Sequence, residues 1–162
     1  MKKILIISVL IFLIDFPPTI CQQVPVFSFK QIEPLLHKQN DTLYLINFWA
    51  TWCKPCVQEL SGIEQVASDF SDKKFKVILV SLDFVNALNN RLIPYINKNN
   101  IQSNVILLND PDSNKWIDKV DSSWSGAIPA SLIYIGNKRE FYEKSFTYDE
   151  LKLLIQNKIK NQ

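Results

Sequence analysis

The chain of 162 residues is predicted to fold as a layered α/β domain, with a central mixed β-sheet flanked by helices on both faces. Three observations predict it. Several short runs are continuously apolar with little alternation, which suits strands buried on both faces. Segments with apolar residues at three- and four-residue intervals lie between them, the mark of helices with one buried face. The chain then ends in a hairpin-like pair and a further helix, so parallel and antiparallel pairings are both expected.

The first residues stand apart. Lys2 and Lys3 precede an apolar run from Ile4 to Ile14, which Asp15, Pro17 and Pro18 stop. That run is too short to span a bilayer, which needs about 20 residues. A basic start, a short apolar stretch and a helix-breaking end form the pattern of a secretory signal. Residues 1–21 are therefore read as a signal peptide and residues 22–162 as the folded domain. Cleavage after Cys21 would release a chain starting at Gln22. Lipidation of Cys21 is the alternative, weighed against by the bulky Ile20 before it. Export implies an oxidising compartment, the bacterial periplasm or cell envelope.

The elements follow in order. Residues 24–40, "VPVFSFKQIEPLLHKQN", read as a strand or turn and a short helix that carries the sole histidine, His37, at the surface. "DTLYLINFW" (Asp41–Trp49) reads as a central strand. "CVQELSGIEQVASDF" (Cys56–Phe70) repeats Leu60, Ile63, Val66, Ala67 and Phe70 with helical period. "FKVILVSLD" (Phe75–Asp83) is a second strand, and "NALNNRLIPYINKNN" a helix interrupted by Pro94. "SNVILLND" (Ser103–Asp110) is a third strand candidate, and "SNKWIDKV" a short helix. "ASLIYI" (Ala130–Ile135) turns through "GNK" into an antiparallel "REFYEK". "TYDELKLLIQNKIKN" closes the chain as an amphipathic helix. Its Thr147 and Glu150 have capping-box spacing, and Lys158 and Lys160 lie at the favourable end.

Composition excludes some functions. Apolar residues make up 47% and charged residues 21%, a globular balance. The net charge is +2, or +1 once Lys2, Lys3 and Asp15 leave with the leader. Lys and Arg form no stripe, so no nucleic-acid partner is expected.

With Cys21 at the processing site, Cys53 and Cys56 alone remain in the domain. A bridge over so short a loop adds little as a structural staple. A zinc site would need two further ligands, and one histidine does not supply them. A redox pair remains, and position supports it. Cys53 falls where strand gives way to helix, and Pro55 suits a first helical turn. The positive helix end favours a Cys53 thiolate. Cys56, one turn on, can close a disulfide while staying more covered. Cys53 is thus assigned the attack on a substrate disulfide and Cys56 the resolution of the mixed disulfide. A C-x-x-C beside a βαβ pattern is a general mark of thioredoxin-like redox motifs.

"NFWATWCKPCVQEL" resembles the active-site segment of the thioredoxin superfamily, in particular the exported TlpA/ResA-type thiol–disulfide oxidoreductases of bacteria. "VILVSLD" and "WSGAIPASLIYI" resemble that group's second strand and its proline-bearing strand entry. The resemblance implies a thioredoxin-like fold. It assigns Cys53 and Cys56 the attacking and resolving roles, and makes Pro129 a cis-proline facing the dithiol and offering backbone to an incoming peptide. Glu59, three residues after Cys56 and so on its face of the helix, matches an acidic residue of the group and can accept the Cys56 proton. A solvated helix glutamate is the alternative. Asn47 stands where cytoplasmic thioredoxins carry a buried aspartate, which removes one proton relay. Trp52, Lys54, Pro55, Ile128 and Pro129 are read as the client-binding surface, and Trp49 and Trp124 as core or groove lining.

The expected protein is an exported, monomeric thiol–disulfide oxidoreductase. It would reduce disulfides of envelope proteins and be recharged by a membrane-bound electron donor, with no cofactor or metal. A non-enzymatic peptide- or metal-binding module is the alternative. A peroxidase of the same fold is less compatible, because "TWCKPC" lacks the Pro/Thr-rich setting of a peroxidatic cysteine.

Overall fold

The computed structural model describes residues 23–161. The proposed leader 1–21, with Cys21, lies outside the described residues.

The continuous apolar run does form the central strand. β2, Leu43–Trp49, is buried along its whole length. Its pleat divides it between two cores. Leu43, Leu45 and Trp49 face one, while Tyr44, Ile46 and Phe48 face the other. On one side β2 pairs in parallel with β3, Phe75–Ser81; on the other it pairs antiparallel with β5, Ala130–Ile135. β4, Asn104–Leu108, lies beyond β3, and the two-residue β1, Val26–Phe27, beyond that. β6, Lys138–Tyr142, pairs with β5 across a tight turn in which Gly136 takes a positive φ of 52°. The six-stranded mixed sheet has the order β1-β4-β3-β2-β5-β6.

Helices cover both faces, as expected. α1, Phe29–Ile32, and α4, Ile117–Val120, pack Phe29, Ile32, Trp116 and Val120 against one face. α2, Lys54–Asp69, α3, Ile93–Lys98, and α5, Tyr148–Lys160, cover the other. The helical repeat read in α2 is the buried one, since Leu60, Ile63 and Val66 are all enclosed. Gly62 lets α5 approach closely. A Cβ there would lie 3.3 Å from the Tyr148 backbone. The capping box at Thr147 and Glu150 is formed.

One reading is refined and one corrected. The helical stretch read around Pro94 changes type there, with Pro94 in the first turn of α3. A π-helical turn over Leu88–Leu92 leads into it, with Ile93 N–H donating to the Leu88 carbonyl. The strand read to Asp83 stops at Ser81, because Asp83 turns its carboxylate back onto the loop after β2. His37 is exposed, as expected, but lies just past the short helical segment Glu33–Leu36.

Candidate active site

The loop after β2 delivers Cys53 to the N-cap of α2. Its backbone is extended there, at φ −87° and ψ 102°, with Pro55 in the first turn. Cys53 and Cys56 are joined as a disulfide. Cys56 N–H donates to Cys53 Sγ at 3.3 Å, so this sulfur already occupies the acceptor position that a capping oxygen would take. A thiolate at the same point would meet that N–H and the positive end of a sixteen-residue helix. Cys53 is 6% exposed and Cys56 is fully enclosed, which separates an outer sulfur from an inner one.

The loop itself is fastened by a residue not anticipated from the sequence. Asp83, 3% exposed, accepts from Thr51 N–H at 3.0 Å, from the Thr51 hydroxyl at 2.6 Å and from the Ser81 hydroxyl at 2.8 Å. Asp83→Ala would strip all three donors of their acceptor. It is expected to cost about 2–3 kcal/mol, read as a lowered denaturation midpoint with faster amide exchange at Thr51.

Opposite the dithiol, the Ile128–Pro129 peptide is cis, as the resemblance implied for Pro129. The Ile128 carbonyl oxygen lies 3.6 Å from Cys53 Sγ. The preceding loop is held from below by Trp124, whose indole N–H donates to the Ala127 carbonyl at 2.8 Å while its ring packs on Phe48. Trp124 is thus core on the face opposite α2, and Trp49 core on the α2 face.

Beneath the dithiol the solvated reading of Glu59 is excluded. Glu59 is 5% exposed. Its Oε1 accepts from Asn47 Nδ2 at 2.8 Å and its Oε2 from Phe146 N–H at 2.9 Å. Asn47 is the direct antiparallel partner of Ser131, and its Nδ2 also donates to Ser131 Oγ at 3.1 Å. Burial raises the Glu59 pKa above its usual value, partly opposed by these two donors. A side cavity of about 320 Å³, lined by Glu59, Gly62, Phe146 and Tyr148, lies between α2 and the start of α5.

The outer surface is apolar. Trp52 is 52% exposed and Phe84 74%, and the two border a cavity of about 420 Å³ with Ala87 and Arg91. Lys54 and Pro55 are exposed beside it. Sequence reading found Trp52 but not Phe84, because only the folded turn after Asp83 brings Phe84 alongside. A larger cavity of about 670 Å³, lined by Glu64, Ser68, Lys76 and Gln102, lies towards the other end of α2, away from the sulfurs. Among the described residues, no three His, Cys, Asp or Glu side chains are grouped to hold a metal ion.

A dithiol at the N-terminus of the helix after a central strand, faced by a cis-proline, defines a thioredoxin-like dithiol protein. The chain belongs to the AhpC/TSA family, whose model matches residues 20–134. It is 38% identical over 69 residues to the thioredoxin-like protein YneN of Bacillus subtilis, a match covering 41% of this chain and 39% of that protein. It is 32% identical over 66 residues to the thiol-disulfide oxidoreductase ResA of Oceanobacillus iheyensis, covering 36% and 34% respectively. The chain thus spans between a third and two fifths of the length of these curated relatives. A crystal structure of a thiol:disulfide interchange protein of the thioredoxin family from Chlorobium tepidum superposes with a TM-score of 0.61. That match covers 72% of this chain and 79% of that one at 19% identity, a likeness of fold.

Proposed function

We propose that this protein is an exported thiol–disulfide oxidoreductase that reduces disulfides in other envelope proteins. The observation that carries the reading is Cys53 at the N-cap of α2, its sulfur held by Cys56 N–H and facing the Ile128–Pro129 peptide. In the reduced protein the Cys53 thiolate attacks one sulfur of a client disulfide. A Cys53–client disulfide forms and one client thiolate leaves. The Cys56 thiolate then attacks Cys53 Sγ, which regenerates the Cys53–Cys56 disulfide and releases the second client thiolate. Two electrons pass to the client, and a membrane-bound donor returns them. Glu59 takes the proton that Cys56 loses before this second step.

Export rests on the leader pattern of residues 1–21. Among the described residues, no helix is long and apolar enough to cross a membrane. Clients dock on Trp52, Lys54 and Pro55 and along the Ile128–Pro129 backbone, with Phe84 extending the apolar surface.

The test is reduction of insulin disulfides by dithiothreitol with the protein or its Cys53→Ser variant. Acceleration by the parent alone supports exchange, whereas equal rates would favour a binding module in which the cysteines are incidental. Replacing both Trp52 and Phe84 by Ala is expected to raise KM for a disulfide-bonded protein client about tenfold. Reduction by dithiothreitol, which needs no such surface, should stay within about twofold of the parent rate.

A further inference from the structure

We propose that Asn47 is the positioning residue through which the buried Glu59 holds a proton: the proton enters on Oε1, and the Asn47 carboxamide reverses so that its oxygen replaces its nitrogen as the partner. This rests on the reading of Glu59 as the proton acceptor of the dithiol.

The two oxygens of Glu59 are not equivalent. Oε2 faces the Phe146 backbone N–H, which can only donate, so that oxygen stays an acceptor in either protonation state. Oε1 faces the Asn47 side chain, which carries a donor at one end and an acceptor at the other. With Glu59 ionised, both hydrogens of Asn47 Nδ2 are used, one on Oε1 and one on Ser131 Oγ. Asn47 Oδ1 is buried and, among the described residues, has no hydrogen-bond partner. Such an atom is unusual in a folded interior.

A proton on Oε1 would set an O–H against an N–H if the amide stayed as it is. Reversal removes that conflict. Oδ1 then accepts from the new Glu59 O–H, and Ser131 turns its hydroxyl to donate to the same oxygen. Every group in the chain Glu59–Asn47–Ser131 can both give and receive at that stage, so the three reverse together. The amide keeps two hydrogen bonds in each arrangement and leaves one end unpaired in each. The two states are therefore matched in number, which a bistable element requires. A leucine at position 47 would serve neither of them, and a fixed donor or acceptor there only one.

The surroundings leave Glu59 to titrate against neutral partners. β2 and β5 present Asn47 and Ser131, and the segment before α5 presents the Phe146 N–H. Tyr148, at the start of α5, donates its hydroxyl proton to Asp69. Lys144 pairs with Glu150 at 3.6 Å and lies over the Phe146 ring. On α2 the Cys53–Cys56 disulfide carries no titrating proton in the oxidised protein.

The test is an NMR titration of the oxidised protein, following the Glu59 side-chain carboxyl carbon and the Asn47 side-chain amide. The amide protons are expected to shift with the carboxyl midpoint and to lose their Overhauser contacts to Ser131 as Glu59 is protonated. Glu59→Gln mimics the neutral acid, because its nitrogen must donate where the Glu59 O–H would. It should show the reversed Asn47 amide at every pH, and so reads the neutral state whether or not the titration is complete. Retention of the Ser131 contacts in Glu59→Gln would overturn the proposal. That result would leave insulin reduction through Cys53 untouched, whereas a failure of insulin reduction would leave the amide signature in place.

Discussion

Cys53→Ser is expected to lower disulfide reduction at least about a thousandfold, whereas Cys56→Ala should convert the protein into a trap. The reason lies in the asymmetry of the pair. Cys53 stands at the N-cap, where its sulfur accepts the Cys56 N–H at 3.3 Å. A thiolate gains from that site, while a serine hydroxyl remains protonated at neutral pH and does not attack a disulfide. Cys56 is fully enclosed in the first turn of α2 and cannot meet a protein client before Cys53 does. Removing it leaves the first attack intact and the mixed disulfide unresolved. Reduced Cys56→Ala mixed with a disulfide-bonded client should therefore give a covalent complex on a non-reducing gel, with the summed mass by mass spectrometry. Cys53→Ala should give none. The reverse pattern, a complex through Cys56 alone, would interchange the roles.

Those roles were legible in the sequence because they depend on local order. A strand, two cysteines, a proline and a helical repeat are neighbours along the chain, and each constrains the next. Strands buried on both faces were also legible, since "LYLINFW" shows no polar alternation. The environment of Glu59 was not. Its spacing from Cys56 placed it on the right side of the helix, but its burial depends on α5 closing over Gly62 and on a backbone N–H 87 residues away. A backbone donor leaves no mark on side-chain identity, so no inspection of residue types would have found Phe146. Asp83 was hidden for a related reason. An aspartate closing an apolar run reads as the last residue of its strand until Thr51 and Ser81 are seen to converge on it. The insertion of β4 between β1 and β3 likewise depends on which strand edge is free, which the order of elements does not specify. Trp124 was read only as core or lining, because its bond to the Ala127 carbonyl, which steadies the cis-proline loop, depends on the folded turn.

Glu59→Gln separates a proton acceptor from a merely buried acid through the pH dependence of two quantities. The first is stability. Burial raises the Glu59 pKa above its ordinary value of 4.5, so the folded protein holds this proton more tightly than the unfolded chain. The stabilising contribution is fully present below the unfolded value and is lost as pH rises through the folded one. Exposed carboxylates such as Asp69, Glu140 and Glu150 have lowered pKa values and act in the opposite direction, so the parent curve alone is a composite. The difference between parent and Glu59→Gln isolates the one group. Urea midpoints should show the parent losing stability relative to the variant as pH rises from the ordinary value of 4.5 through the raised folded value, then running parallel to it. The second quantity is rate. Without a carboxylate, Cys56 must give its proton to water across an enclosed site, and the resolving step at pH 7 should slow about a hundredfold. The attack by Cys53, measured as formation of the mixed disulfide in a single turnover, should change by no more than about threefold, since that sulfur is supported from the helix end. A variant that follows the predicted stability difference but resolves at the parental rate would leave Glu59 as a buried structural acid. A loss confined to the resolving step would place the carboxylate on the path of the proton.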